Sequence, residues 1–165
     1  VRQSIEADLR LIDYYDEVIG NMESYIKRTV KNQKPKEFYQ LQSVEGLGPI
    51  LAMTIIYEIE DINRFARVQN FSSYARLVKC SRGSGGKIKG FGGGKIGNVH
   101  LKWAFSEAAA LFLRANPRGK QYLKRLEKRH GKGKAMSIIA ARLGRAVYFM
   151  LKRGELFDRE RFYAS

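Results

Sequence analysis

The sequence predicts a mainly α-helical protein, a long N-terminal helix followed by a compact helical domain. Three observations predict it. Apolar residues recur at steps of three and four through most of the 165 residues, the period of a helix with one buried face. Proline and asparagine stand where helices open, at Pro49, Asn98 and Asn116-Pro117. The glycines that would break helices are concentrated, with eight of the sixteen between Gly83 and Gly97.

From Arg2 to about Lys31 the only glycine or proline is Gly20. Ile5, Leu9, Ile12, Ile19, Met22, Ile26 and Val30 step by 4, 3, 7, 3, 4 and 4, a heptad-like seam interrupted near Asp16. A helix with one apolar stripe needs a partner, either its own domain or a coiled coil with a second protomer. Pro35, in the polar stretch Asn32 to Lys36, ends it. Residues 1–36 are therefore expected to form one element and residues 37–160 a second domain. The chain opens with Val1 already inside the helical pattern and is expected to be a piece of a longer protein.

The second domain begins with a helical turn, Glu37 to Gln42. Ser43 to Ala52 then reads as a helix corner with a Gly-apolar-Gly centre, and a helix runs from Pro49 through Ile59. Asp61 to Arg64 is a turn, and Arg67 to Leu77 a helix with Phe71 and Tyr74 on its apolar side. Between Gly83 and Gly97 the glycine density leaves room for neither helix nor a long strand, so a mobile loop is expected. Asn98 caps a helix through Arg114, with Trp103, Ala104, Ala108, Leu111 and Phe112 as core. A strongly basic helix follows from Asn116 to His130, and Gly131 to Gly133 breaks it. The last helix is expected from Lys134 to Arg153, with Ile138, Ile139, Leu143, Val147 and Met150 inward.

Lys and Arg number 31 against 16 Asp and Glu, a net charge of +15. The excess is localised. Residues 1–75 carry 9 basic and 11 acidic groups, residues 76–134 carry 16 and 2, and residues 135–165 carry 6 and 3. A uniformly basic chain would not leave its first part slightly acidic. The block 76–134 therefore reads as a surface for the phosphates of nucleic acid. One cysteine, Cys80, excludes an internal disulfide and fits a reducing cytosol. Cys80, His100 and His130 cannot build a structural zinc site. No signal peptide is visible in the sequence, and no apolar run comes near the ~18 residues of a membrane span.

Three segments carry candidate chemistry. Val44 to Ala52 resembles the helix-hairpin-helix motif of non-specific DNA-binding proteins. There Gly46 and Gly48 let the backbone approach a phosphate, and the N–H groups of the next helix face it. Glu45 and the acidic Glu58, Glu60 and Asp61 oppose that use, and the corner equally suits plain architecture. The glycine-rich loop sets Arg82, Lys87, Lys89 and Lys95 along a pliant backbone, but lacks the Ser or Thr after lysine of a nucleotide-hydrolase phosphate loop. Ser84 lies between Arg82 and Lys87 with glycine on both sides, an unhindered hydroxyl near cations that would stabilise a phosphoryl transition state. A flexible tether is the competing reading, and His100 and His130 are candidate bases only by elimination. The basic helix places Arg118, Arg125, Arg129 and Lys132 roughly on one face and Lys120, Lys124 and Lys128 on another, with Lys134 beyond. Tyr122 at helical spacing belongs with Leu123 and Leu126 inside rather than in a base stack.

In order, Leu41 to Ala52, Arg64-Phe65, Phe71 to Leu77, Ser84-Gly-Gly-Lys87, Gly97-Asn98 with Leu101-Lys102, and Gly133-Lys134-Ala135 through Arg142 to Lys152 resemble the C-terminal half of the IS one-ten group of insertion-sequence transposases, relatives of the Piv site-specific DNA invertase. The likeness covers about residues 38–158. Arg76 stands where that family usually has glycine, Lys79 where it often has proline, and Lys102 where it usually has arginine.

The resemblance implies a prokaryotic, nucleoid-associated DNA recombinase in two catalytic parts. One is a RuvC-like domain with an acidic tetrad for a divalent metal, Mg, which this chain lacks. The other is this serine-bearing domain, joined to it by a coiled coil that makes a homo-oligomer. The family's Ser-Gly-Gly serine maps to Ser84, with Ser81 the runner-up. It implies attack on a DNA phosphate, and a structured bridge RNA that pairs with target and donor DNA. On this reading the piece alone does not recombine DNA and carries no cofactor of its own. Two other readings stay open: a non-catalytic helix-hairpin-helix module that holds DNA or RNA, and a basic RNA-binding protein of the translation apparatus.

Overall fold

The computed structural model describes residues 2–85, 87–92 and 96–164, with the backbone alone at residues 80–84, 87–89, 91–92 and 115. Lys95 and Gly86 fall outside the described residues, and so do the side chains of Arg82, Ser84, Lys87 and Lys89.

The first thirty-odd residues offer good helix formers and no proline, and they form α1 (Arg2–Gln33). Pro35, whose ring cannot accept a helical predecessor without clash, separates α1 from α2 (Pro35–Gln42). The chain divides into two compact units, Val1–Pro35 and Lys36–Ser165. Within the first, the seam residues Ile5, Leu9, Ile12, Ile19 and Met22 are each more than half exposed.

The second unit is mainly helical, as its periodicity predicts: α3 (Pro49–Ile59), a 3-10 turn (Ile62–Arg64), α4 (Val68–Tyr74), α5 (Val99–Ala115), α6 (Pro117–His130), α7 (Lys132–Arg153) and α8 (Arg159–Ala164). In its core α4, α5 and α6 pack on α7, and α3 packs on α5. Phe38, Leu41, Ile55, Phe71, Leu101, Phe105, Phe112, Ile139, Leu143 and Val147 are fully enclosed. Burying a side chain of this size contributes roughly 1.5–3 kcal/mol, so these residues dominate the stability of the unit. Edge-on ring contacts join Phe71 to Phe65 and Phe105.

Four expectations need correction. Trp103 is not core but half exposed. The inward stripe of α5 is Leu101, Ala104, Phe105, Ala108 and Phe112, and a 3.6-residue period turns position 103 to the outer flank beside Lys102. The helix expected over residues 67–77 stops at Tyr74, because Ala75 and Arg76 turn the chain and Arg76 sits at φ +54°. The break between α6 and α7 is Gly131 alone, and α7 is not the last helix.

The fourth concerns the glycine-rich segment, which is not a loop. It holds an antiparallel hairpin, β1 (Cys80–Ser84) with β2 (Lys87–Gly92). The glycines interrupt the ladder rather than prevent it. Gly85 takes φ +62° in the connection between the strands, and the register slips between Arg82 and Gly83, opposite Gly90 and Ile88. Such a bulge is where glycine costs a strand least. No helix among the described residues is long and apolar enough to cross a membrane.

Candidate nucleic-acid interface

Both ends of the β-hairpin are rooted in the helical core. On the incoming side, the Leu77 N–H donates to Ser72 O at 2.9 Å. The Leu77 side chain fills the space beside Gly144 of α7, where a Cβ would stand 2.2 Å from its Cδ1. On the outgoing side, Asn98 donates its backbone N–H to Tyr74 O at 2.6 Å. Its side-chain oxygen accepts from Leu101 N at 2.9 Å and caps α5, as its type at that place predicts. Its amide nitrogen donates to Glu58 Oε2 at 2.5 Å. Arg64 stacks over Tyr74 at 4.6 Å. Ser84 therefore sits at the far end of a two-stranded arm, paired with Lys87 across the turn, while Ser81 pairs with Phe91 nearer the base.

The helical corner between α2 and α3 is built on two unlike glycines. Gly46, at φ +83°, is pressed against α5, and a Cβ there would lie 2.4 Å from Phe112 N. Gly48 is exposed, with open space where its Cβ would be. It precedes Pro49 at the start of α3, which has no side-chain cap. Val44, Leu47 and Leu51 are buried beneath the corner. Glu45, which the sequence sets against a phosphate, is already engaged. It accepts from Asn116 Nδ2 at 2.7 Å and pairs with Arg159 of α8.

Asn116 also accepts from Gly119 N at 2.9 Å, capping α6 as expected. Beyond that cap Lys120, Lys124, Arg125, Lys128 and Arg129 are all exposed, as are Lys132 and Lys134 at the start of α7 and Lys102 on α5. Tyr122, Leu123 and Leu126 are half buried. Such a helix presents several exposed cations to solvent. Arg118 differs from the rest. It bonds Glu160 of α8 and lies over the Tyr163 ring at 4.6 Å. The hydrogen bond raises the Arg118 pKa, and the same bond lowers the Glu160 carboxyl. Burial pushes the Tyr163 phenol up.

His100 is exposed in the first turn of α5, and His130 closes α6. Among the described residues no three His, Cys, Asp or Glu side chains gather as a metal set. Sequence reasoning missed α8. The segment before it is tied back to the corner, with Phe157 N donating to Ser43 Oγ at 2.9 Å and Gln40 Nε2 to Glu155 O at 3.0 Å. The aromatic pair Phe162-Tyr163 is the one signal of a buried terminal element.

The sequence pattern of the Transposase IS116/IS110/IS902 family matches residues 39–124. The chain is 30% identical over 146 residues to the transposase for insertion sequence element IS1111A of Coxiella burnetii, covering 86% of this chain and 40% of that protein. It is 25% identical over 147 residues to the insertion element IS116 uncharacterized 44.8 kDa protein of Streptomyces clavuligerus, covering 86% of this chain and 35% of that protein. The chain thus spans less than half the length of these relatives. The family match runs from the helical corner through the β-hairpin into the basic helix, and the chain belongs to the Transposase IS116/IS110/IS902 family.

Proposed function

We propose that this chain is the nucleic-acid-binding, serine-bearing part of an insertion-sequence transposase, in which Ser84 attacks a DNA phosphate during site-specific recombination. The observation that carries the reading is the placement of Ser84. It stands at the tip of an arm whose two roots are fixed by Leu77 and Asn98, in a domain whose α6 offers a row of exposed cations. A nucleophile beside a hairpin turn is unhindered, and a basic surface on the same domain would hold the phosphate it attacks. In the reaction a bond forms between Ser84 Oγ and phosphorus as one phosphodiester P–O bond breaks. The serine proton passes to a base, and the departing sugar oxygen takes up a proton. The covalent link keeps the phosphodiester energy for rejoining.

The whole recombinase is proposed to need a RuvC-like domain with Mg, and a bridge RNA that selects the DNA. Among the described residues no three His, Cys, Asp or Glu side chains gather where one ion would meet them. Glu45 is held by Asn116 and Arg159, and Glu58 by Asn98, so no step of this chain runs through that ion. The exposed seam of α1 supports a coiled coil between copies of the chain. The open start of α3 at Gly48 supports a helix-hairpin-helix contact to phosphate.

The test is Ser84→Ala in the full-length transposase with its guide RNA and donor and target DNA. Strand exchange is expected to vanish while complex formation persists. Recombination at the wild-type rate would overturn the assignment and leave a non-catalytic binding module. An Ala variant of Ser81 should retain activity.

A further inference from the structure

Between the second half of α7 and the start of α8 lies a cleft of about 370 Å³ whose lining falls outside the matched residues 39–124. Arg142, Arg145, Phe149, Arg153, Leu156 and Arg161 line it. Among the described residues its carboxylates are Glu155 and Asp158, so the described lining carries a cationic excess. Glu155 lies 3.9 Å from Arg153 and 3.7 Å from Arg161, and Asp158 caps Arg161 N at 3.0 Å. Arg145 is exposed, and no carboxylate pairs with it among the described residues.

The aromatic floor orders these cations. Phe149 has the Arg145 guanidinium 5.5 Å from its ring centre and that of Arg153 at 4.9 Å. A guanidinium resting on a ring loses less freedom when it meets an anion. Leu156, at 66% exposure, leaves an apolar wall beside the charges. Cations next to an uncovered apolar wall suit an unpaired nucleotide, with a phosphate for the guanidiniums and a base face for the wall. The volume also favours a single nucleotide, because a duplex cannot bring its stacked bases into so small a recess. The cleft adjoins the basic helix, since Arg142 bonds the Tyr122 hydroxyl of α6 and donates to Phe162 O at 2.6 Å.

We infer that this cleft is a second nucleic-acid contact, which takes an unpaired nucleotide of a strand running on from α6. The inference rests on the proposed nucleic-acid function. Arg145 holds the phosphate, and Phe149 is a positioning residue for Arg145 and Arg153.

The test uses the 165-residue chain and fluorescence anisotropy with oligo-dT and oligo-rU of about twelve nucleotides and a duplex of like length. Arg145→Gln should weaken single-strand binding about tenfold and reduce the salt slope by about 0.7. Duplex binding should change less than about twofold. Phe149→Leu should weaken single strands similarly, and Arg145→Lys by a smaller factor. Lys124→Glu with Arg125→Glu should weaken the duplex. The dT and rU arms identify the strand as DNA or RNA. Single-strand affinity unchanged in Arg145→Gln, with the α6 variant impaired, overturns the cleft and leaves the nucleic-acid reading standing. Equal loss of single strand and duplex also overturns it, as does equal competition by poly-glutamate, which would mark a general polyanion site. No binding by the wild-type chain would overturn both.

Discussion

Asn98 donates its side-chain amide to Glu58 Oε2 at 2.5 Å, so the residue that starts α5 also locks the return of the β-hairpin to α3. One side chain therefore serves as helix cap and as anchor of the arm that carries Ser84. Asn98→Ala should lower stability by about 1 kcal/mol for the cap, which a thermal melt would show as a fall of about 2–4 °C. Asn98→Asp keeps a capping oxygen but sets a carboxylate against Glu58. It should therefore fail to restore full stability at neutral pH. A wild-type melt for Asn98→Asp would show that the Glu58 contact contributes nothing.

The two glycines of the helical corner should respond in opposite ways. Gly46→Ala forces a Cβ into the α5 backbone at a positive φ and should cost roughly 2–4 kcal/mol. Gly48→Ser meets open space at the N-cap of α3 and should be neutral or stabilising by a few tenths of a kcal/mol. Denaturant unfolding of the two variants side by side measures the contrast. Equal midpoints would contradict it.

Arg76 holds φ +54°, a left-handed conformation that costs a non-glycine residue about 1 kcal/mol. Arg76→Val should be less stable than Arg76→Gly by about 1–2 kcal/mol, because a β-branched residue tolerates that region poorly. A Val variant as stable as the Gly variant would remove backbone strain from the account.

Acid should loosen the tie between α6 and α8. The Glu160 carboxyl is held below its ordinary range by the hydrogen bond from Arg118. A depressed carboxylate contributes stability that is present above its unfolded pKa and lost as pH falls through its folded one. The pair is exposed, so its effect on global stability is small. The sharper readout is NMR titration of the Glu160 side chain, which should move up toward the ordinary carboxylate range in Arg118→Gln. An unmoved titration would show that Arg118 is not the cause.

Elements marked by local chemistry were readable from the sequence. Asn98 and Asn116 cap the helices they precede, and Pro49 and Pro117 open theirs, because these signals act within one turn. The hairpin was obscured because glycine count was read without position. Gly85 takes the turn and Gly90 stands beside the register slip, while Cys80–Ser84 pairs with Lys87–Gly92. Trp103 misled because size suggested burial, although the stripe through Leu101, Phe105 and Ala108 excludes it. Of the cationic residues singled out on α6, Arg118 alone bonds Glu160, and nothing near it in sequence announces a partner 42 residues away. The α7/α8 cleft was hidden for the same reason, since Leu156 and Arg161 meet the α7 arginines only once α8 folds back.

The pairing of Glu45 with Arg159 bears on where the domain can be cut. A chain ended after Arg153 keeps every residue of the family match, yet its helical corner would carry an uncompensated negative charge beside the bare start of α3. Such a truncation would make that corner more repellent to anions, while the basic helix stayed intact. The closing residues thus set the electrical sign of a corner more than a hundred positions earlier in the chain.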